Sequence, residues 1–262
     1  RQECESCFFL KSKGKDLSTS VFDKKMSLYK DANITFVGCS RWLSGRAKKS
    51  YLLRGKAVLS IPNPIDTKVY HPMDQGMARE LLGLPSGKRL LLFGALNVTD
   101  KRKGIDYLIE ALRRMEKQDV ELVVFGQVKD DIRGLFPVPI HSMGYLSDES
   151  KIVALYNAVD MFITSSLEEN LPNTIMESMA CGTPCVGFEI GGIPEMIDHR
   201  VNGYVANYKD AGDLANGIQW VLEHEDRLAL SDACVKKVQE NYTEEVVAKQ
   251  YTALYEKLLK GE

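Results

Sequence analysis

Residues 160–180 read DMFITSSLEENLPNTIMESMA. Asp160–Thr164 is a short apolar run, the polar TSSLEEN stretch interrupts it, and Pro172–Ala180 has helical spacing, with Pro172 where a first turn tolerates it. The same strand-then-helix alternation recurs on both sides. Strands are predicted at Arg89–Gly94, Val120–Gly126, Pro139–Met143, Pro184–Phe188 and Gly203–Val205, and helices at Ile105–Lys117, Glu149–Asn157 and Asp210–Glu223. Continuous apolar strands with helices between them imply a parallel sheet covered on both faces. The expectation is a doubly wound α/β domain over residues 66–240.

The first 65 residues differ. A charged, serine-rich lead (KSKGKDLSTS) precedes a helical stretch, then NITFVGCS as a strand, RWLSGRAKKSYL as a helix and AVLSI as a strand. This reads as the last β-α-β units of a preceding domain, with residues 1–65 as its remnant. IPNPID at 61–66, with two prolines, is the expected hinge. The chain opens RQECESC, without an initiator Met and without the features of a signal or transit peptide, so a piece cut from something longer is expected. Residues 241–262 include an amphipathic helix at Thr243–Lys260. Its Val246, Val247, Tyr251, Leu254, Tyr255 and Leu258 share one side, expected to pack on the N-terminal remnant.

Composition narrows the function classes. A 44% hydrophobic chain of 262 residues can build a sizeable core, which excludes disorder. With 34 basic and 36 acidic residues there is no global basic field for nucleic acid or acidic lipid, so anion binding must be local. No apolar run is long enough for a transmembrane helix. Cys4 and Cys7 form a CxxC pair with no second half, and His71, His141, His199 and His224 are scattered, so no metal site is expected. Cys39, Cys181 and Cys185 sit in apolar or Gly-rich contexts suited to buried free thiols. Sequons at Asn33, Asn97 and Asn241 carry little weight without an export signal. A cytoplasmic location is expected, with any peripheral association at the inner membrane belonging to the missing part of the parent.

Three stretches can carry chemistry. Glu169 and Glu177 flank a helix start at a strand's carboxyl end, where ligands bind in open α/β sheets and unpaired amides suit a pyrophosphate. The two carboxylates make sense if they hold hydroxyls on either side of the phosphates. The ordinary alternative is that Glu169 caps the helix and Glu177 faces water. Lys101-Arg102-Lys103-Gly104 follows another strand and precedes another helix, so its cations can neutralise a diphosphate without metal; the alternative is a solvated charge run. Gly191-Gly192-Ile193-Pro194-Glu195 lets backbone approach a ligand closely, or is simply a tight turn. No G-x-G-x-x-G, Walker loop, G-x-S-x-G elbow or H-E-x-x-H occurs, which removes most support for hydrolases and oxidoreductases.

From about Ser60 to Lys260 these elements together resemble the Rossmann-like, donor-binding C-terminal domain of retaining GT-B glycosyltransferases, glycosyltransferase family 4. IPNPID is similar to the family's interdomain "IPNGID", Lys103-Gly104 to its "KG", Glu169 and Glu177 to its E-x7-E pair, and SMACGTPCVGFEIGGIPEMI to the stretch that follows it. The resemblance implies that Glu169 binds the transferred sugar, with Lys103 and Arg102 stabilising the departing diphosphate. It places the amides of Asn170 and Leu171 on the distal phosphate and the hydroxyls of the ribose on Glu177. Gly144, Tyr145 and Leu146 sit where the family's backbone meets the base, and Asn173 and Thr174 fall within the same donor-binding motif. It further implies a UDP-sugar or GDP-sugar donor, a glycan or lipid-linked saccharide acceptor, and no cofactor or metal.

Two departures stand out. Asn170-Leu171-Pro172 replaces the usual Gly-Phe-Gly, a form seen in polysaccharide-type members, and Ala95 stands where the family has an Arg. None of the four histidines precedes the hinge, so the family's N-domain histidine has no counterpart, and this chain alone is expected to be inactive in transfer. Two other readings stay open: a GT-B-shaped sugar-nucleotide epimerase or hydrolase, and a non-catalytic nucleotide-sugar-binding domain, which Ala95 favours.

Overall fold

A computed structural model describes residues 16–97, 100–115, 119–127 and 133–261. Cys4, Cys7 and the end of the helix expected at 105–117 lie outside them. The chain divides into two compact units, Arg1–Ile61 and Pro62–Glu262, with the division inside IPNPID.

In the first unit, helix α1 (Ser18–Lys30) is followed by strand β1 (Thr35–Gly38), helix α2 (Arg41–Lys48) and strand β2 (Ala57–Ser60). β1 and β2 pair in parallel, a β-α-β unit as the sequence implied. The Ser40 hydroxyl accepts from the Leu43 amide at 3.0 Å and so starts α2. Ser44 on that helix donates to the Leu59 carbonyl at 2.7 Å, fastening it to β2.

The second unit runs through α3 (Gln75–Leu82), β3 (Arg89–Asn97), α4 (Ile105–Arg114), β4 (Val120–Gln127), β5 (Ile140–Gly144), α5 (Glu149–Ala158), β6 (Met161–Thr164) and α6 (Asn173–Ala180). It continues with β7 (Cys185–Phe188), α7 (Ile193–Met196), β8 (Gly203–Ala206), α8 (Ala211–Leu222), α9 (Arg227–Asn241) and α10 (Glu244–Leu259). Its strands form a parallel six-stranded sheet in the order β5-β4-β3-β6-β7-β8. Leu90, Leu91, Leu92, Ile163 and Val186 have no solvent exposure, as expected of strands covered on both faces. Leu91, Phe93, Met161, Ile163 and Phe188 form one core with the apolar faces of α4 and α8. α3 packs on α5, and α6 on α9.

All six predicted strands are present, shifted by at most a few residues. α6 begins one residue later than expected, because Pro172 serves as its N-cap with extended backbone and only then does the helix turn. α3 and α9 are additions to the sequence reading. Both open on an aspartate cap: Asp74 accepts from the Met77 amide and Asp226 from the Ala229 amide. Of the apolar positions expected on one side of α10, Val247 and Leu254 are buried, whereas Tyr255 and Leu258 are exposed. Among the described residues no helix is long and apolar enough to cross a membrane. Cys181, Cys185 and Cys234 are buried free thiols, and Cys39 is only partly covered.

Candidate functional site

The sheet's connectivity chooses the site. From β3 the chain winds outward through β4 to β5, then returns to the opposite side of β3 with β6. The carboxyl ends of β3 and β6 therefore flank a topological switch point, where open α/β sheets form their ligand crevice. The segment after β3 carries Lys101–Gly104, and the loop after β6 carries Glu169.

Short contacts knit these loops together. The Leu167 amide donates to the Arg102 carbonyl at 2.7 Å, and the Ser165 hydroxyl donates to the Lys103 carbonyl at 3.0 Å. Gly104 has φ +64°, and a Cβ there would lie 2.0 Å from the Ser165 carbonyl oxygen. Only glycine permits both the left-handed turn and this approach. The outcome is an ion pair across the crevice, Lys103 Nζ to Glu169 Oε1 at 2.5 Å, with both side chains partly covered.

Arg102 has a partner of its own. Its guanidinium turns back on Asp100, with contacts of 2.7–3.2 Å, and is largely exposed. Those hydrogen bonds, with one from the Arg102 amide, pull the Asp100 carboxyl down to about 2. Lys103, not Arg102, is the cation aimed at Glu169.

A third loop supports Glu169 from behind. Gly191 has φ +60°, and a Cβ there would come within 2.0 Å of the Glu169 carbonyl oxygen. The neighbouring Gly192 amide donates to the Asn170 carbonyl at 2.5 Å. The close approach that the paired glycines allow is thus to the Glu169–Asn170 backbone. Leu171 is buried, Asn173 is exposed and Thr174 is half-buried at the opening of α6. An eight-residue helix starts here, so the positive end of its dipole lies at this loop.

Glu177, on the second turn of α6, does not simply face water. Its Oε2 accepts from the Tyr156 hydroxyl at 2.8 Å. Burial, then the nearby Glu149 carboxylate, pushes its carboxyl up, and the Tyr156 hydrogen bond opposes the shift. The Tyr70 phenol beside it is pushed up by burial and by the Glu177 and Glu149 charges. Gly144 (φ +63°), exposed Tyr145 and half-buried Leu146 form the turn from β5 toward α5, whose first residue is Glu149. Asp100, Tyr156, Tyr70 and Glu149 were not among the site residues read from the sequence. An Asp two residues before Arg102 is the one local signal among them, being an Asx-turn pattern.

Among the described residues no group of three or more His, Cys, Asp and Glu is placed to hold a metal ion. Lys103 and the positive end of the α6 dipole have the charge that suits an anion. The carboxylates Glu169 and Glu177 would accept from hydroxyls on either side.

Comparison with known proteins agrees with this fold. N-acetyl-alpha-D-glucosaminyl L-malate synthase of Bacillus anthracis is 24% identical over 213 residues, 79% of this chain and 55% of the relative. The chain thus spans about half of that relative's length. Sucrose-phosphate synthase from Thermosynechococcus elongatus superposes with a TM-score of 0.77 at 22% identity, covering 95% of this chain and 63% of the other. Anabaena Alr3699/HepE, solved in complex with UDP-glucose, gives a TM-score of 0.72 at 19% identity over 90% of this chain and 67% of its own. The six-stranded parallel sheet and its helices therefore match the GT-B glycosyltransferase fold that the sequence motifs implied. The family described as "Glycosyl transferases group 1" matches residues 87–224, which contain the sheet, the lysine loop and both glutamates, and the chain belongs to that family.

Proposed function

We propose that this chain binds a nucleotide-diphosphate sugar at the carboxyl ends of β3 and β6 and supplies the donor half of a glycosyltransferase. The observation that carries the reading is the Lys103–Glu169 pair at the switch point, beside the first turn of α6. Here the two charges satisfy each other. A bound donor would divide them: Lys103 to the diphosphate and Glu169 to the sugar hydroxyls, with Glu177 on the ribose.

In the reaction the bond between the anomeric carbon and the diphosphate oxygen breaks, and its electron pair leaves on that oxygen. An acceptor hydroxyl bonds to the same carbon, and its proton passes to the departing diphosphate oxygen. Charge builds on the departing diphosphate, where Lys103, the Asn170 and Leu171 amides and the dipole of α6 can stabilise it without a metal ion. Transfer with retention, and to a glycan or lipid-linked saccharide, extends this reading; the resemblance of Asn170-Leu171-Pro172 to the polysaccharide-type form of the motif supports that acceptor class.

The experiment is titration calorimetry of this chain with UDP-, GDP- and ADP-sugars in EDTA. Saturable binding of a UDP- or GDP-sugar is expected. No binding of any of them, or an absolute requirement for Mg²⁺ or Mn²⁺, would overturn the reading.

A further inference from the structure

Glu177 leans on a buried tyrosine. The Tyr156 ring, 1% exposed, packs edge-on against Phe125 of β4, with centroids 6.2 Å apart, and against Phe162 of β6 at 6.0 Å. Its backbone carbonyl accepts from the Thr183 hydroxyl at 2.7 Å. Ring and backbone are both fixed, so the phenol has one direction to point. It reaches Glu177 Oε2.

A buried phenol needs an acceptor, but a structural tyrosine could take any carbonyl. This one takes half of a carboxylate that has no cation to hold it: among the described residues, no Lys, Arg or His forms an ion pair with Glu177. The titratable groups around Glu177 are Tyr156 and the like-charged Glu149 of α5, Tyr70 from the segment before α3, and the Cys181 thiol after α6. Of these, the Tyr156 hydroxyl is the group that favours the ionised carboxylate.

We propose that Tyr156 is a positioning residue for donor binding, its hydroxyl holding one oxygen of Glu177 so that the other is left to accept from the nucleotide's ribose hydroxyls. This rests on the assignment of Glu177 to the ribose. Tyr156 itself never touches the ligand. It fixes the orientation of the carboxylate and keeps it an acceptor, which suits a vicinal diol and disfavours an anion.

Tyr156→Phe keeps the ring and removes the hydroxyl. The first readout is a ¹³C NMR pH titration of the Glu177 side chain in the full chain, assigned by comparison with Glu177→Gln. The midpoint should rise in Tyr156→Phe. The second readout is calorimetry with UDP across pH, where binding should weaken about fivefold near neutrality, the worth of one hydrogen bond. The pH profile of binding should move upward with the NMR midpoint, and Tyr156→Phe should add nothing in a Glu177→Gln background. Should Tyr156→Phe not fold, Tyr156→3-fluorotyrosine, a stronger donor, should move the midpoint down instead. An unmoved midpoint, or the same loss of affinity with and without Glu177, would overturn the proposal. UDP binding indifferent to Glu177→Gln would refute the ribose assignment, and the role of Tyr156 with it. A midpoint that still rises in that case locates the error in the assignment, not in the tyrosine–carboxylate contact.

Discussion

Gly191→Ala should damage the sugar end of the crevice and spare the nucleotide end. At φ +60°, a side chain other than hydrogen costs roughly 1–2 kcal/mol in backbone energy. The added Cβ would also lie 2.0 Å from the Glu169 carbonyl oxygen, 2.7 Å from its carbonyl carbon and 3.3 Å from the Asn170 oxygen. Those atoms are backbone, so relief requires moving the 169–171 loop by about 1 Å or more, and overpacking of this kind costs typically about 1–3 kcal/mol. A total loss of about 2–5 kcal/mol is expected in urea unfolding. The functional effect follows from the displaced Glu169: affinity for a UDP-sugar should fall well below that for UDP, since Glu177 sits on the second turn of α6 and is not pushed. Gly87→Ala is the control, since an added Cβ there meets nothing within 4 Å. Gly191→Ala with wild-type stability and an unchanged ratio of UDP-sugar to UDP affinity would refute the claim that this glycine sets the Glu169 backbone.

Other outcomes follow from the same geometry. In calorimetry, Glu177→Ala should weaken UDP itself by about 1.5–3 kcal/mol, whereas Glu169→Ala should mainly weaken the UDP-sugar; equal effects of both on UDP would contradict the division of roles. Lys103→Ala should weaken UDP more than uridine, read by the same method, and Arg102→Ala much less, because Arg102 is turned onto Asp100. Burial raises the Glu177 carboxyl above its ordinary 4.5, so the folded chain holds this proton to higher pH than the unfolded chain does. Its contribution to stability is therefore full below that value and lost as pH rises through the folded one. Glu177→Gln should accordingly match the wild type in chemical denaturation at acid pH and exceed it near neutrality. Asp160, buried among Arg79, Arg89 and Arg227, also accepts from the Leu90 amide at 2.7 Å. Asp160→Ala should cost about 3–5 kcal/mol in urea unfolding by leaving the buried Arg79 unpaired, with donor affinity little changed in the molecules that remain folded.

The strands were readable in the sequence because a sheet buried on both faces writes itself as uninterrupted apolar runs, as RLLLFG and VELVVFG do. Helix α9 was not, because only a narrow stripe of it, Leu230, Cys234 and Val238, is buried, and apolar residues such as Leu228 and Val235 outside that stripe blur its period. The eight-residue α3 is too short for periodicity to show, although its Asp74 cap and left-handed Gly83 stop are local signals. The loop placement of Glu169 and Lys103 was legible because each motif sits between a strand and a helix. Partners were not. Lys103 meets Glu169, and Tyr156 meets Glu177, only once the sheet brings their loops and helices together. For the same reason neither the Asp100 partner of Arg102 nor the Tyr156 partner of Glu177 could be read from the chain.

The most direct test is a crystal structure of this chain with a bound UDP-sugar or GDP-sugar. The account predicts the diphosphate at Lys103 Nζ and the 170–171 amides, the ribose hydroxyls on Glu177, and the Lys103–Glu169 pair opened, with Glu169 on the sugar. A nucleotide elsewhere would contradict it, as would one bound with that ion pair intact.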